Sequence, residues 1–512
     1  MRGAVRASLL TVLMFLLPNG SAMAAARVSV LISDLHFGLG KESNGRWHPY
    51  EDFRWPNALE GFLQALSSEY GDNIDLVIVG DFLELWQTPA DIPCSSGSAD
   101  AGCTVGEMTR LAARISKAHV HELSLLGDFA RRGDNHLYVI PGNHDAALLV
   151  PQVWQQVYPA FGDTRGRAQL VTSGIWQSAD KHVVAEHGHQ IGSDVNSFAK
   201  WPSVTTRGND GIRFMVRPWG ERFVQQLFNT EERAYPVIDN LSPETAGARY
   251  RMHERGWLGT LADTARFIAF NIFETSLTQK ADGLGKQDPG QDNFSRKAAE
   301  RAGHQLFLLS LPAKDPLREL IEGVDEQQVA MRNQLDTLVT QLSDDDLNTL
   351  CRTAARQSNA NPCTDSLGAL LTNALVPQMS IFRSHLANRQ RELGGFDIFV
   401  YGHTHLWEYP WKVTNVAGEV RNITVVNTGA FQRLVDDAGF VKIAKDKSIS
   451  PAQALKQLSV EDLQPCYGLV VVDHGAAVVR ARLRLWQMQE GGNQGVFREP
   501  GVSDCPRNGP DK

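Results

Sequence analysis

The sequence has no excess of positive charge. Its 50 Lys and Arg face 58 Asp and Glu, a formal net charge of -8 over 512 residues, with a pI near 6.0. That balance argues against a nucleic-acid binder that works through a broad basic face. No stretch interleaves basic with aromatic residues either. Beyond the first residues there is no long apolar run, so no later segment is expected to span a bilayer. No internal repeat is evident. Cysteine is sparse, at Cys94, Cys103, Cys351, Cys363, Cys466 and Cys505. None has the spacing of a zinc knuckle, and none takes a catalytic role here.

What is present is ordinary globular composition, 42% hydrophobic and 21% charged, in a chain long enough to bury a large core. Residues 1–24 read as a signal peptide. Arg2 and Arg6 supply positive charge, Leu9 to Leu17 is short and apolar, and Ala22-Met23-Ala24 is a small-x-small cleavage site. An uncleaved anchor is the alternative. No Cys lies near that site, which argues against a lipoprotein. Export implies a secreted or periplasmic protein with no transmembrane anchor after cleavage. In that setting the cysteines read as disulfides. The simplest pairing joins sequence neighbours: Cys94 with Cys103, Cys351 with Cys363, Cys466 with Cys505.

Apolar, β-branched runs predict strands at 27–32, 75–79, 136–140 and 181–186. Helices are predicted over 57–70 and, as one long segment, over 105–132. Strand followed by helix, repeated, predicts mostly parallel central strands with helices outside. Ser95 to Gly102 reads as a loop. The pattern stops near Val195. From 196 to 394 the chain is helical in character, with apolar stripes at Leu335, Leu338, Val339, Leu342 and at Leu367, Leu370, Leu371, Leu375. Gly283 to Asn293 is a linker within it. Ser343 with Asp344 to Asp346 reads as a helix N-cap rather than a metal site. Strand character returns at Phe396. A hairpin follows (407–414 with 420–427), then a final pair (467–473 with 477–485). The tail from Gln489 reads as loose apart from Cys505. The expected organisation is a core in two parts, 25–195 and 395–488, a mainly helical insertion or cap, 196–394, and a C-terminal tail, 489–512.

Each core strand ends in a turn that carries Asp, Asn or His. These are Asp34-Leu35-His36, Gly80-Asp81, Gly142-Asn143-His144-Asp145, His187-Gly188-His189 and Gly402-His403-Thr404-His405. In open α/β sheets, ligands bind beyond the carboxyl ends of the strands. Singly, each turn has a bland reading: cap residues, an Asx-turn at Asn143, satisfied core histidines. Together Asp34, His36, Asp81, Asn143, His187, His403 and His405 offer carboxylate, imidazole and amide oxygen. That set suits borderline divalent metals such as Mn, Fe, Zn or Co. It is too large for one tetrahedral ion and about right for two. A Gly before His403 is expected to turn the backbone so that both imidazoles face one cleft.

The order D-x-H, G-D, G-N-H-D, H-G-H, G-H-T-H resembles the calcineurin-like metallophosphoesterase family. Val426-Asn427-Thr428-Gly429-Ala430 is similar to that family's strand and turn after the last histidines. The resemblance covers about 27–192 and 396–486 and leaves out the helical region. It implies an α/β fold, the calcineurin-like metallophosphoesterase β-sandwich flanked by helices (αββα), here with a large helical insertion. It implies two divalent metal ions (Mn, Fe or Zn). Asp34, His36 and His405 would hold one, Asn143, His187 and His403 the other, and Asp81 would bridge them. His144 would sit beside the phosphate, bonding an oxygen or protonating the leaving group, with Asp145 orienting it. His189 would stand behind His187 rather than on the metal. The implied reaction is hydrolysis of a phosphate ester or anhydride by a metal-bridging hydroxide, with no phosphoenzyme. The implied partner is a small phosphorylated substrate. A pyrophosphatase acting on a nucleotide-linked or lipid-linked diphosphate is the alternative.

Gly80-Asp81-Phe82-Leu83-Glu84-Leu85-Trp86 is similar to the G-D-x-x-D-x-W stretch of the UDP-2,3-diacylglucosamine diphosphatase branch, with Glu84 in place of Asp. Packing of Leu83, Leu85 and Trp86 at a helix start is the alternative. That branch typically has Arg where this chain has His144, and its reaction is cytoplasmic. Glu84 stands where purple acid phosphatases place a metal-binding Tyr, so no iron-tyrosinate chromophore is expected. The insertion is expected to cap the cleft and select the substrate. Arg207 and Arg213, with Trp201, Arg217 and Trp219, follow the His187 block and offer an anion subsite, or else surface salt bridges. The apolar stretch 258–277 reads as a core helix rather than a lipid groove. Outside the enzyme reading stands a non-catalytic binding protein that uses the helical insertion. A nuclease of the same fold is disfavoured by the acidic balance.

Overall fold

Three short, buried strands, Val28–Ile32, Ile74–Val79 and His136–Ile140, form the centre of the protein in a computed structural model. Residues 26–94, 101–191, 196–218, 229–242, 295–311, 326–342, 378–414, 422–489 and 494–501 are described, with single positions and short pieces between them. The signal peptide, Trp219, the stretch 258–277, the linker 283–293, the acidic cap 343–346 and the stripe 367–375 lie outside the described residues.

With Ala168–Leu170 the three strands make a parallel array. Val28 lies opposite Ile74, Asp75 opposite His136 and Leu137 opposite Ala168. Pro465–Asp473 pairs antiparallel on the other side of Val28–Ile32. It carries Ala481–Met488, Gly495–Arg498 and Phe431–Arg433 into a sheet of eight strands. A second sheet of five has parallel central strands Val183–Glu186, Ile398–Tyr401 and Ile423–Thr428. Its edges, Ile175–Gln177 and Trp407–Val413, are antiparallel.

Side chains alternate across a strand, so each face meets a different layer. Leu31, Val77, Val79 and Val470 of the first sheet share one core with Val183, Ala185, Ile398, Val400 and Val426 of the second. The two sheets therefore pack face to face. The outer face of the first (Val30, Ile32, Leu76, Ile78) packs on Leu59, Phe62, Leu111 and Leu126 from helices Pro56–Tyr70, Val105–Ala118 and Val120–Arg131. The outer face of the second (Val184, Phe399, Val425) packs on Phe382 and Leu386 of helix Gln378–Leu393. Each such Leu or Phe buried contributes about 1.5–3 kcal/mol. The fold is mixed α/β, with several sheets.

The segment 105–132 is not one helix. Thr104 and Glu107 close a capping box at its start. The backbone then breaks at His119, whose Nε2 lies 3.0 Å from Glu51 Oε2 and whose ring stacks on Phe37. A tertiary partner 68 residues away overrides the local helical preference. The region after 196 does not begin as helix either. Thr205–Arg207 and Arg213–Val216 form a hairpin, and Arg213–Val216 pairs with Ala101–Thr104, so the end of the predicted 95–102 loop is strand. Nor is the tail loose throughout. Gly495–Arg498 adds an edge strand, and Phe497 packs on Phe62 and Trp486.

Helices Asp437–Asp446 and Pro451–Gln457, which no pattern above predicts, carry Phe440, Ala444, Ala454 and Leu455 into a fourth core. There they meet Tyr235, Ile238, Phe307, Leu335 and Val339 of the insertion, and Trp86 from the turn after Asp81. Three disulfides join Cys94 to Cys103, Cys351 to Cys363 and Cys466 to Cys505, the neighbour pairing. Such bonds form and persist in oxidising compartments. Among the described residues, no helix is long and apolar enough to cross a membrane.

Candidate metal centre

Both sheets direct the carboxyl ends of their parallel strands to one place. The turns that follow bring Asp34, His36, Asp81, Asn143, His187, His403 and His405 together. Nine non-glycine residues among those described have positive φ, and five of them are Asp34, His36, Asp81, His403 and His405, at φ 47 to 72. The left-handed conformation costs an L-residue about 1–2 kcal/mol, and such outliers gather where a site over-determines the backbone. The turn at Gly402 thus differs from expectation. The left-handed residues are the two histidines themselves. Gly402 is needed for close approach, since a Cβ there would lie 2.3 Å from Ser33 Oγ and 2.7 Å from Asp34 Oδ2.

Two ligand groups result. In the first, His36 Nε2 lies 3.2 Å from His405 Nε2, and Asp34 Oδ1 lies 3.6 Å from His405 Nε2 and 4.0 Å from His36 Nε2. In the second, His187 Nε2 lies 3.0 Å from both Asp81 Oδ2 and Asn143 Oδ1. One ligand atom each from Asp81, His187 and His403 falls within a 4.8 Å span. Asp81 Oδ2 is also 3.8 Å from His36 Nε2, which puts that carboxylate between the two groups.

The donor set fits a cation at each group. His187 Nδ1 sits 2.8 Å from the Val79 carbonyl, and His36 Nδ1 sits 2.9 Å from Glu84 Oε2. Each partner accepts a hydrogen bond from Nδ1–H, so that in the neutral ring Nε2 is left as the acceptor. The bare Nε2 of His36 then faces that of His405, and Asp34 Oδ1 is buried with no hydrogen-bond donor. A positive charge between these three side chains would satisfy Asp34 Oδ1 and draw both Nε2 atoms on as ligands. Atoms that share an ion at about 2.0–2.2 Å must lie within about 4.4 Å of one another, and the printed separations of 3.2, 3.6 and 4.0 Å meet that limit.

His144 stands beside this centre, its side chain 19% exposed where that of Glu84 is 2% exposed. Its N–H donates to Asp81 Oδ1 at 2.9 Å, its Nδ1 lies 2.6 Å from Glu84 Oε2, and its ring stacks on Trp86 at 4.2 Å. Glu84 Oε1 accepts from the amides of Trp86 and Gln87 at 2.8 and 3.0 Å. Burial pushes the Glu84 carboxyl up, but His144 and His36 outweigh it and hold it at about 2. The residue that orients His144 is therefore Glu84 and not Asp145. Asp145 accepts instead from the amides of Phe82 (2.9 Å), Leu83 (3.2 Å) and Gly142 (2.7 Å), and so ties the Asp81 turn to the Asn143 turn. The signal for Glu84 was its place three residues after Asp81. Packing by its apolar neighbours is the other reading of that stretch.

His189 is buried behind His187, at 5.5 Å between rings, against Trp201 and Phe198. Burial and the neighbouring His187 hold its pKa well below the usual histidine value. Arg207 and Arg213 lie opposite one another on the hairpin. Arg207 is exposed and Arg213 donates to Thr205 Oγ1 at 3.4 Å. Arg217 is turned to the Cys94 carbonyl and Gln225. Among the described residues, no hydrogen bond or ion pair links Arg207 or Arg213 to the metal centre. Comparison with protein-family models, with curated proteins and with solved structures finds no match.

Proposed function

We propose that the protein is a binuclear metal-dependent phosphoesterase of the calcineurin-like metallophosphoesterase kind, with that family's αββα fold, acting outside the cytoplasm as a secreted or periplasmic enzyme. One observation carries the reading: two adjacent ligand groups lie on either side of the Asp81 carboxylate, with an oriented imidazole, His144, beside them. Asp34, His36 and His405 would hold one divalent ion. Asn143, His187 and His403 would hold the other. Mn, Fe and Zn suit this donor set.

When bound, such ions neutralise phosphate charge and supply an activated water near neutral pH. The chain's own residues do the rest. Glu84 and the Val79 carbonyl fix the tautomers of His36 and His187, keeping each Nε2 free for a ligand. Glu84 also anchors the Nδ1 proton of His144, and Trp86 fixes the plane of its ring. The Nε2 of His144 is then the end that meets the substrate. There it bonds a phosphate oxygen or delivers a proton to the departing oxygen. Asp145 keeps the two turns in register.

The test is an assay of the purified protein, with Mn added, on p-nitrophenyl phosphate and bis-p-nitrophenyl phosphate. Metal-dependent release of p-nitrophenol is the expected result. No turnover on these, nor on any nucleotide or phospholipid, would sink the proposal.

A further inference from the structure

Next to the metal centre lies a second group of acids that the mechanism above does not use. Asp52 and Glu232 are buried, at 4% and 3% exposure, and Asp239 is partly buried. A short path leads there from the catalytic side. Glu84 Oε1 accepts from the Gln87 amide at 3.0 Å, and Gln87 Nε2 donates to Glu232 Oε2 at 2.6 Å. Burial and the facing charges of Asp52, Asp239 and Glu84 push the Glu232 carboxyl well up, and Arg54 offsets the least of these influences. Burial and Asp239 push Asp52 up to about 8, with His36 opposing. The insertion supplies Glu232 and Asp239, and the core supplies Asp52 and Gln87. The acidic cluster therefore joins side chains from 196–394 to side chains of the core.

A cluster of acids alone names no ligand, but two amides do. Gln87 is 3% exposed, and its Oε1 has no donor. That oxygen sits on the same amide that donates to Glu232, so it lies beside that acid. Asn229 is 7% exposed, and its Oδ1 is likewise without a donor. It lies three residues before Glu232, on the same side of helix Asn229–Ala234. The cluster thus presents unpaired amide acceptors and carboxyls whose joint ionisation is disfavoured until a cation sits among them. Its occupant must bring N–H donors and positive charge. A single metal ion fits poorly, because these acids do not bring ligand atoms within 4.8 Å of one another as the two His/Asp groups do. A primary ammonium offers three N–H donors and no acceptor, and its hydrogen bonds reach farther than metal–ligand bonds.

Resting on the phosphoesterase reading above, we propose that this acidic cluster binds the primary ammonium group of the substrate. The preferred substrate is then an aminoalkyl phosphate ester, with its phosphoryl group at the metal centre and its ammonium among Glu232, Asp52, Asp239, Gln87 and Asn229.

The experiment compares 2-aminoethyl p-nitrophenyl phosphate with n-propyl p-nitrophenyl phosphate, in which a methyl group replaces the ammonium, both with Mn. The expected kcat/KM is about tenfold or more higher for the aminoethyl ester, and Glu232→Gln brings the ratio close to one. Equal kcat/KM for the two esters in the unmutated protein, or a ratio that survives Glu232→Gln, overturns the proposal and leaves the phosphoesterase reading standing. If neither ester is hydrolysed, the phosphoesterase reading is decided by the broader assay above, and the acidic cluster by calorimetry of ethanolamine binding to metal-free protein. Binding that Glu232→Gln abolishes supports it, and no binding overturns it. If Glu232→Gln fails to fold by circular dichroism, Asp52→Asn takes its place with the same expectations.

Discussion

Glu84 Oε2 lies 2.6 Å from His144 Nδ1, and the same oxygen lies 2.9 Å from His36 Nδ1. One carboxylate thus orients a proposed metal ligand and the proposed proton donor together. Glu84→Gln is expected to lower turnover of bis-p-nitrophenyl phosphate by about 10–100-fold and to weaken metal retention, as loss of a partner behind a ligand does. Steady-state kinetics with metal analysis of the dialysed protein is the check. Unchanged values in both would show that Glu84 orients neither imidazole.

Asp81 and His144 should separate metal binding from chemistry. Asp81→Ala removes the carboxylate that lies between both groups, so bound metal and activity should fall together. His144→Ala touches no proposed ligand atom. It should keep the metal and lose about 10²–10⁴-fold in kcat. Retention of metal and activity in Asp81→Ala would disprove its bridging place.

Away from the site, His119 makes stability depend on alkaline pH. Burial opposes its charge, but Glu51 and Glu122 outweigh burial and raise its pKa to about 9, above the ordinary 6.5. A raised histidine stabilises fully below its unfolded pKa, and that contribution is lost as pH rises through the folded value. The stability gap between the native protein and His119→Gln should be widest below pH 6.5. It should narrow by roughly 3 kcal/mol as pH passes 9. Urea titrations at pH 6 and pH 9.5 measure it.

At the acid end, Glu186 acts in the opposite sense. Burial raises its carboxyl, yet His385 and Arg389 hold it at about 2, below the ordinary 4.5. Its stabilisation is present above pH 4.5 and lost as pH falls toward 2. Arg389 Nη2 lies 2.7 Å from Glu186 Oε2 and ties helix Gln378–Leu393 to the second sheet. Arg389→Met should cost roughly 3 kcal/mol at pH 7, with a smaller loss at pH 3. Thermal denaturation at the two pH values tests both halves.

The parts that could be read ahead are those where local chemistry decides. Val28–Ile32 and Ile74–Val79 are β-branched and end in polar turns, so strand and candidate ligand announced themselves together. Leu335 and Val339 kept their helical spacing into a real core. The parts that escaped depend on partners far along the chain. His119 breaks its helix for Glu51, 68 residues away. Gly495–Arg498 is a strand because Ala481–Met488 offers it an edge. The family resemblance implies that Asp145 orients His144, but three backbone amides claim its oxygens.

Trp86 has one side against His144 and belongs to the insertion's apolar cluster, which also takes in Phe440 and Leu455 from beyond the second half of the ligand set. The region 196–394 is consequently no detachable module. Excising 196–394 would strip the cover from Trp86, Phe440 and Leu455 at once and expose the far side of the indole that backs the His144 ring. The region 196–394 and the two-sheet core should then melt as one cooperative unit, with a single transition where two independent modules would give two.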